Sequence, residues 1–234
     1  MKRRPAEFRI AQIYNEAARL FVEQGFAATS MSEIARAVGI TKAGLYHFVK
    51  SKDELALILI TRAYVVYDRD VHIPAQGISD PLERLQFIVR SHLYNITRHR
   101  GPSGNPVTVL LDDPAALGDA HRREIARRKK TYYKFLRDTL LALKERGELN
   151  NLDPTVAAFS LLGMILWLAR WHRTEGRLSI DDVVMQMTEI ALRGVVRPDV
   201  LQAKGILRTA DSQPATRSPQ HIESPRKSRQ KTRA

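Results

Sequence analysis

Apolar side chains recur at steps of three and four along nearly the whole chain, the period of a helix with one buried face. Ile10, Ile13, Tyr14, Ala17, Ala18 and Phe21 form such a stripe and predict a first helix over about residues 5–23, ended by Gly25. Met31, Ile34, Ala35 and Val38 predict a short second helix. Its start, Ser30-Met31-Ser32-Glu33, is a capping box: the serine side chain accepts from a free backbone N–H and the glutamate reaches back. Gly39 closes this helix, and Thr41 caps a third that reaches His47 or Phe48. A second capping box, Ser51-Lys52-Asp53-Glu54, opens a long helix over about residues 52–70.

Asp80-Pro81-Leu82-Glu83 opens the next helix, with proline where its missing N–H costs nothing. Leu82, Leu85, Val89, His92 and Ile96 make its inner face. Residues 100–106 read as a Gly/Pro turn, and Val107 to Leu111 as either a short helix opened by Asn105-Pro106 or a strand. A long helix over about residues 119–146 turns Tyr132, Leu136, Leu140 and Leu143 inward and stops at Gly147. Asp153-Pro154 opens an almost wholly apolar helix to about residue 173. Ser179-Ile180-Asp181-Asp182 opens the last, with Val183, Met187, Ile190 and Ala191 on one side. Strand alternation and internal repeats are absent from the pattern. The expected fold is all-α, with an N-terminal three-helix unit containing a helix-turn-helix and a C-terminal helical unit.

Charge sharpens this division. The 234 residues carry a formal net charge of +13, which favours an anionic partner. Residues 198–234 hold eight Lys/Arg against three Asp/Glu among Ser, Pro, Gln and Thr, and read as a disordered basic tail. The expected organisation is thus 1–50, 51–197 and 198–234. There is no cysteine, so disulfides, thiolate nucleophiles and zinc–cysteine sites are excluded. No apolar signal core follows Met1-Lys2-Arg3-Arg4. The uncharged run from Pro154 to Ala169 falls short of the roughly 18–20 residues that span a bilayer. The expectation is a cytoplasmic protein with no membrane partner.

Residues 30–52 carry the strongest functional signal. A helix that reads the major groove needs a bracing helix behind it, a turn tolerant of positive φ, and a narrow polar leading face. Ile34, Ala35 and Val38 supply the brace, Gly39 the turn and Thr41-Lys42-Ala43-Gly44 the face, while Leu45 and Val49 point back to the core. The run Gly39-Ile40-Thr41-Lys42-Ala43-Gly44-Leu45-Tyr46-His47-Phe48-Val49-Lys50-Ser51-Lys52, then Glu54-Leu55, resembles the signature of the TetR (tetracycline repressor) family. So does Phe21 to Gly25 ahead of Phe26-Ala27-Ala28-Thr29-Ser30-Met31. The family commonly has Phe-Pro where this chain has Val49-Lys50, and Ser, Thr or Ala at Gly44.

The resemblance implies a homodimer that binds a palindromic double-stranded DNA operator. Thr41, Lys42, Ala43, Gly44 and His47 would face bases, Tyr46 and Lys52 would hold phosphates, and Ser30 and Ser32 would meet the DNA backbone. It also implies a small-molecule effector held by the C-terminal helices and dimerisation through the last two of them. Trp167, Arg170, Trp171 and Arg173, followed by Gly176-Arg177-Leu178-Ser179, resemble the members that sense acyl-coenzyme A thioesters of lipid or steroid breakdown. There, Trp167, Arg170, Trp171, Arg173 and Arg177 would bind the effector: apolar surface for the acyl group, arginines for the phosphates. Taken without the resemblance, two tryptophans four apart also read as core, and arginines near a helix end also answer its dipole.

Enzyme chemistry finds no support. The sequence has no HExxH, P-loop, GxGxxG or nucleophile elbow, and its paired aspartates sit at helix ends where capping accounts for them. No cofactor or metal site is expected. The alternatives that remain are a non-specific or architectural DNA-binding protein and, behind it, an acyl-CoA-binding enzyme.

Overall fold

The computed structural model describes residues 6–98, 119–172 and 176–206. Among them are ten α-helices and one π-helical turn; the only extended pairing is an isolated bridge between Leu149 and Val196. The expected helix or strand at Val107 to Leu111 and the tail beyond Ile206 lie outside the described residues.

The N-terminal unit is built from α1 (Ala6–Gln24), α2 (Met31–Val38), α3 (Lys42–Tyr46) and the first half of α4 (Lys52–Tyr67). Ile13, Ala17 and Phe21 from α1 meet Ile34, Ala35 and Val38 from α2, Leu45 and Val49 around α3, and Leu55, Ala56, Leu59 and Ile60 from α4. This core takes four residues from α4, beyond residue 50, a helix shared with the second unit. The capping box at Ser30 and Glu33 is present with both hydrogen bonds. At Ser51 only half of the expected box forms. Ser51 Oγ accepts from Glu54 N at 3.0 Å, while the Glu54 carboxylate reaches past it to the backbone N–H of Lys50.

α4 does not stop near residue 70. It passes into a π-helical turn (Asp68–His72) and on into α5 (Ile73–Gln76), a rod of about 37 Å at 1.5 Å per residue. α6 (Pro81–Arg98) is the central helix of the second unit. α7 (Asp119–Glu145), α8 (Pro154–Trp171) and α9 (Ile180–Val195) pack against it. Leu85, Ile88 and Leu93 meet Leu136, Leu140, Leu161, Ile165 and Leu168 in this larger core. α8 is long and apolar enough to cross a membrane by length and composition, but Leu161, Leu162, Ile165 and Leu168 are in the core.

The helical body also continues past residue 197. α10 (Pro198–Ala203) buries Leu201, and Lys204 reaches Asp80 at 3.3 Å. Asp80 accepts from the backbone of Leu82 and Glu83 at the start of α6 and from Arg146 at 3.2 Å. The start of the expected tail, 198–206, is thus part of the packed structure.

Candidate nucleic-acid interface and effector cavity

α2, the Gly39 turn and α3 make the helix-turn-helix. Gly39 adopts φ 73°, and its N–H returns to the Ala35 and Arg36 carbonyls. Thr41 Oγ1 caps α3 by accepting from Gly44 N at 3.0 Å. A Cβ on Gly44 would lie 3.1 Å from that hydroxyl, so the missing side chain gives the cap room. Leu45 and Val49 are buried, which turns Thr41, Lys42, Ala43, Tyr46 and His47 outward together. Ser30 and Ser32 are exposed at the start of the bracing helix, and Arg36 and Lys50 are exposed cations. Hydrogen bonds from Ser30 hold the Glu33 carboxyl below its usual range, keeping that carboxylate ionised at the cap.

Lys52 has a different place from the one expected. Its ammonium donates to the carbonyls of Phe26 at 2.8 Å, Ala27 at 3.1 Å and Thr29 at 2.8 Å, and sits 4.5 Å from the centre of the Phe26 ring. An ammonium has three donors, and all three are used within the chain. Lys52 ties the α1–α2 loop to the start of α4, and a phosphate contact would have to break that clamp.

Among the described residues, Trp167, Arg170, Trp171 and Arg177 do not line the cavity between the α4 rod and α7. Trp167 and Trp171 are 59% and 49% exposed, with the Arg170 guanidinium 5.2 Å from the centre of the Trp167 ring. They continue an outward stripe begun by Val156 and Phe159 on α8. The core-facing side of that helix is already filled by Leu161, Leu162, Ile165 and Leu168. Arg177 is exposed, and Arg173 lies outside the described residues. On α9, Ile190 is exposed with Met185, while Val183, Met187 and Ala191, which the pattern put on one side with it, are buried.

That cavity, of about 340 Å³, lies between the α4–π–α5 rod and α7. Tyr64, Tyr67, Asp68, His72, Ile73 and Gln76 line one side, and Arg127, Arg128, Thr131 and Tyr132 the other. Tyr67, His92 and Tyr132 form an aromatic triad with ring centres 4.5–5.1 Å apart. Tyr132 Oη is hydrogen-bonded to His92 Nδ1. Burial pushes the His92 imidazole down to about 3 and the Tyr64 phenol up to about 12, so both are neutral at physiological pH. At the mouth, Arg127 and Arg128 share Glu124, whose carboxyl they pull down to about 2.

α7 connects this cavity to the reading head. Ile125 is buried in the N-terminal core, one turn from Arg128, which packs over the Tyr64 ring at 5.6 Å. Sequence reasoning missed this site. Tyr64, Tyr67 and Asp68 fall on helical steps, but the π-helical turn that places Asp68 and His72 on the cavity has no mark in the pattern.

Comparison with known proteins fits this arrangement. Residues 13–58 match the family described as bacterial regulatory proteins, tetR family, and residues 79–195 match the tetracyclin repressor-like C-terminal domain. The repressor KstR2 of Mycobacterium tuberculosis (strain ATCC 25618 / H37Rv) is 28% identical over 199 residues, covering 82% of this chain and 95% of that protein. The structure of M. tuberculosis KstR2, described as a ketosteroid transcriptional regulator, superposes with a TM-score of 0.73 at 26% identity, covering 81% of this chain and 95% of that one. AibR in complex with isovaleryl coenzyme A and operator DNA superposes with a TM-score of 0.70 at 36% identity, covering 78% of this chain and 97% of that one. With a DNA-binding domain and a C-terminal domain that both match, the chain belongs to the TetR family of transcriptional regulators and is not an enzyme.

Proposed function

We propose that the protein is a homodimeric repressor that reads a palindromic operator through α3 of each protomer and leaves it on binding an acyl-CoA thioester. The observation that carries the DNA reading is the outward face of Thr41, Lys42, Ala43, Tyr46 and His47, held by a buried Leu45 and Val49. Bases meet Thr41, Lys42, Ala43 and His47, with Gly44 giving the backbone a close approach. Tyr46, Ser30 and Ser32 position the DNA backbone. Lys52 acts indirectly, by fixing the loop ahead of α2.

The dimer forms through the outward apolar stripe of α8 and the Met185 and Ile190 side of α9, a set of large exposed residues that water penalises in a monomer. Trp167, Arg170 and Trp171 then lie at the edge of a surface closed by the second copy. The thioester reading rests on their resemblance to acyl-CoA sensors and on AibR, whose solved complex holds isovaleryl coenzyme A. Ligand at the cavity acts on Arg128 and Tyr132, and so on the α7 turn that puts Ile125 into the reading-head core. Operator affinity falls because the spacing of the two α3 helices changes. The protein works in the cytoplasm, where its operator is, and the seven Lys/Arg beyond Ile206 add sequence-independent attraction to DNA.

Titration of the protein against DNA flanking its own gene, with random duplex as competitor, tests this reading. A saturable complex that survives competitor and dissociates on adding isovaleryl-CoA is expected. Equal affinity for random duplex would favour the architectural alternative that the +13 charge keeps open.

A further inference from the structure

The backbone N–H of Val49 returns to the Leu45 carbonyl at 3.2 Å and His47 keeps right-handed helical angles, so the geometry of α3 runs on through Phe48. Residues four apart then share a face, and the segment divides into four pairs. Leu45 and Val49 face the core. Lys42 and Tyr46 make one flank, Ala43 and His47 lead, and Gly44 and Phe48 make the other flank. The first flank carries an ammonium and a hydroxyl. The second carries no polar side-chain atom, and Phe48 is 37% exposed on it. One turn before that ring, Gly44 leaves a notch. Beyond its chain neighbours and the helix backbone, only Thr41 Oγ1 at 3.1 Å and Ile40 Cβ at 3.9 Å come within 4 Å of the place a Cβ would take, and the Phe48 ring does not.

We infer that this apolar flank selects thymine: the notch at Gly44 and the exposed ring of Phe48 together take the C5-methyl group of a thymine in each operator half-site. Base edges in the major groove present hydrogen-bond donors and acceptors, and the thymine methyl is the apolar group among them. Without a Cβ, Gly44 lets the base edge approach the backbone. The Phe48 ring supplies apolar surface that leaves water as the methyl covers it. Lys42, on the opposite flank, is a donor suited to the O6 and N7 acceptors of guanine. The segment thus separates polar from apolar base reading by flank. The inference rests on the operator reading above and adds to it the base that the Gly44 side selects and a further specificity residue, Phe48.

Replacing each operator thymine in turn by deoxyuridine, which lacks only the methyl group, tests this in fluorescence-anisotropy titrations of the full-length protein. At one position in each half-site the replacement should weaken wild-type binding about fourfold, the worth of burying one methyl group. Phe48→Ala removes the ring and Gly44→Ala fills the notch, and in both variants the same replacement should cost little. The penalty is a ratio measured within each protein, so a general loss of stability or affinity in a variant does not imitate its disappearance. If no thymine is sensitive, or if the penalty is equal in wild type, Phe48→Ala and Gly44→Ala, the inference is overturned and the operator reading stands. Equal binding of operator and random duplex by the wild type would overturn both.

Discussion

The ammonium of Lys52, at the first position of α4, lies 2.8 Å from the carbonyl oxygen of Thr29, just ahead of the cap of α2. With Phe26 and Ala27 completing its donors, Lys52 sets the bracing helix against the rod that runs to the cavity. Lys52→Met should therefore lower the stability of the protein by about 2–3 kcal/mol, since three carbonyls lose a charged donor. Urea unfolding measures this. A residue that only held phosphate would leave stability unchanged and reduce the salt dependence of DNA binding instead.

Within α3 the roles separate by what each side chain reaches. Lys42→Ala should weaken the operator more than random duplex. Tyr46→Phe should weaken both by similar factors, because backbone contacts carry no base information. Fluorescence anisotropy on the two DNAs at one salt concentration distinguishes them, and equal losses for Lys42→Ala would place Lys42 on the backbone.

The outward stripe of α8 makes a prediction about assembly. Phe159 is 60% exposed and stacks on Tyr133 at 4.6 Å between ring centres. Phe159→Glu or Trp167→Glu puts a charge into the surface assigned to the second copy, where an unpaired buried charge is costly. Analytical ultracentrifugation should show a monomer with an unchanged helical circular-dichroism spectrum. An intact dimer would move the interface elsewhere.

Acid should destabilise the fold through His92. Its folded value near 3 lies below the unfolded value near 6.5. The stabilising neutral form is therefore fully effective above about pH 6.5 and is lost as the pH falls toward 3. At about 1.4 kcal/mol per pH unit, going from pH 6.5 to 5 costs about 2 kcal/mol. Unfolding free energies over that range should show this slope, and His92→Gln should remove most of it.

Much of the reading head was legible because local chemistry dictates it. Ser30 with Glu33, Gly39 in the left-handed region, Thr41 and the buried Leu45 all follow from rules spanning four or five residues. The carbonyl partners of Lys52 were not legible because they lie 23–26 residues away and belong to the backbone, which leaves no trace in side-chain patterning. Trp167 and Trp171 were legible as one face of α8, but not as the outward one. Period fixes which residues share a face, while the neighbours decide which face is buried. The α4 rod was cut short at residue 70 because the π-helical turn shifts the register of the apolar positions after Tyr67.

Selection of bound sequences from a random duplex library by the full-length protein is the most direct test of operator reading. The account predicts an enriched inverted repeat whose half-sites are centred about one helical turn apart, or a multiple of it, and whose enrichment weakens in Lys42→Ala. A library that emerges without an enriched sequence would contradict it, and would leave charge alone to explain binding to DNA.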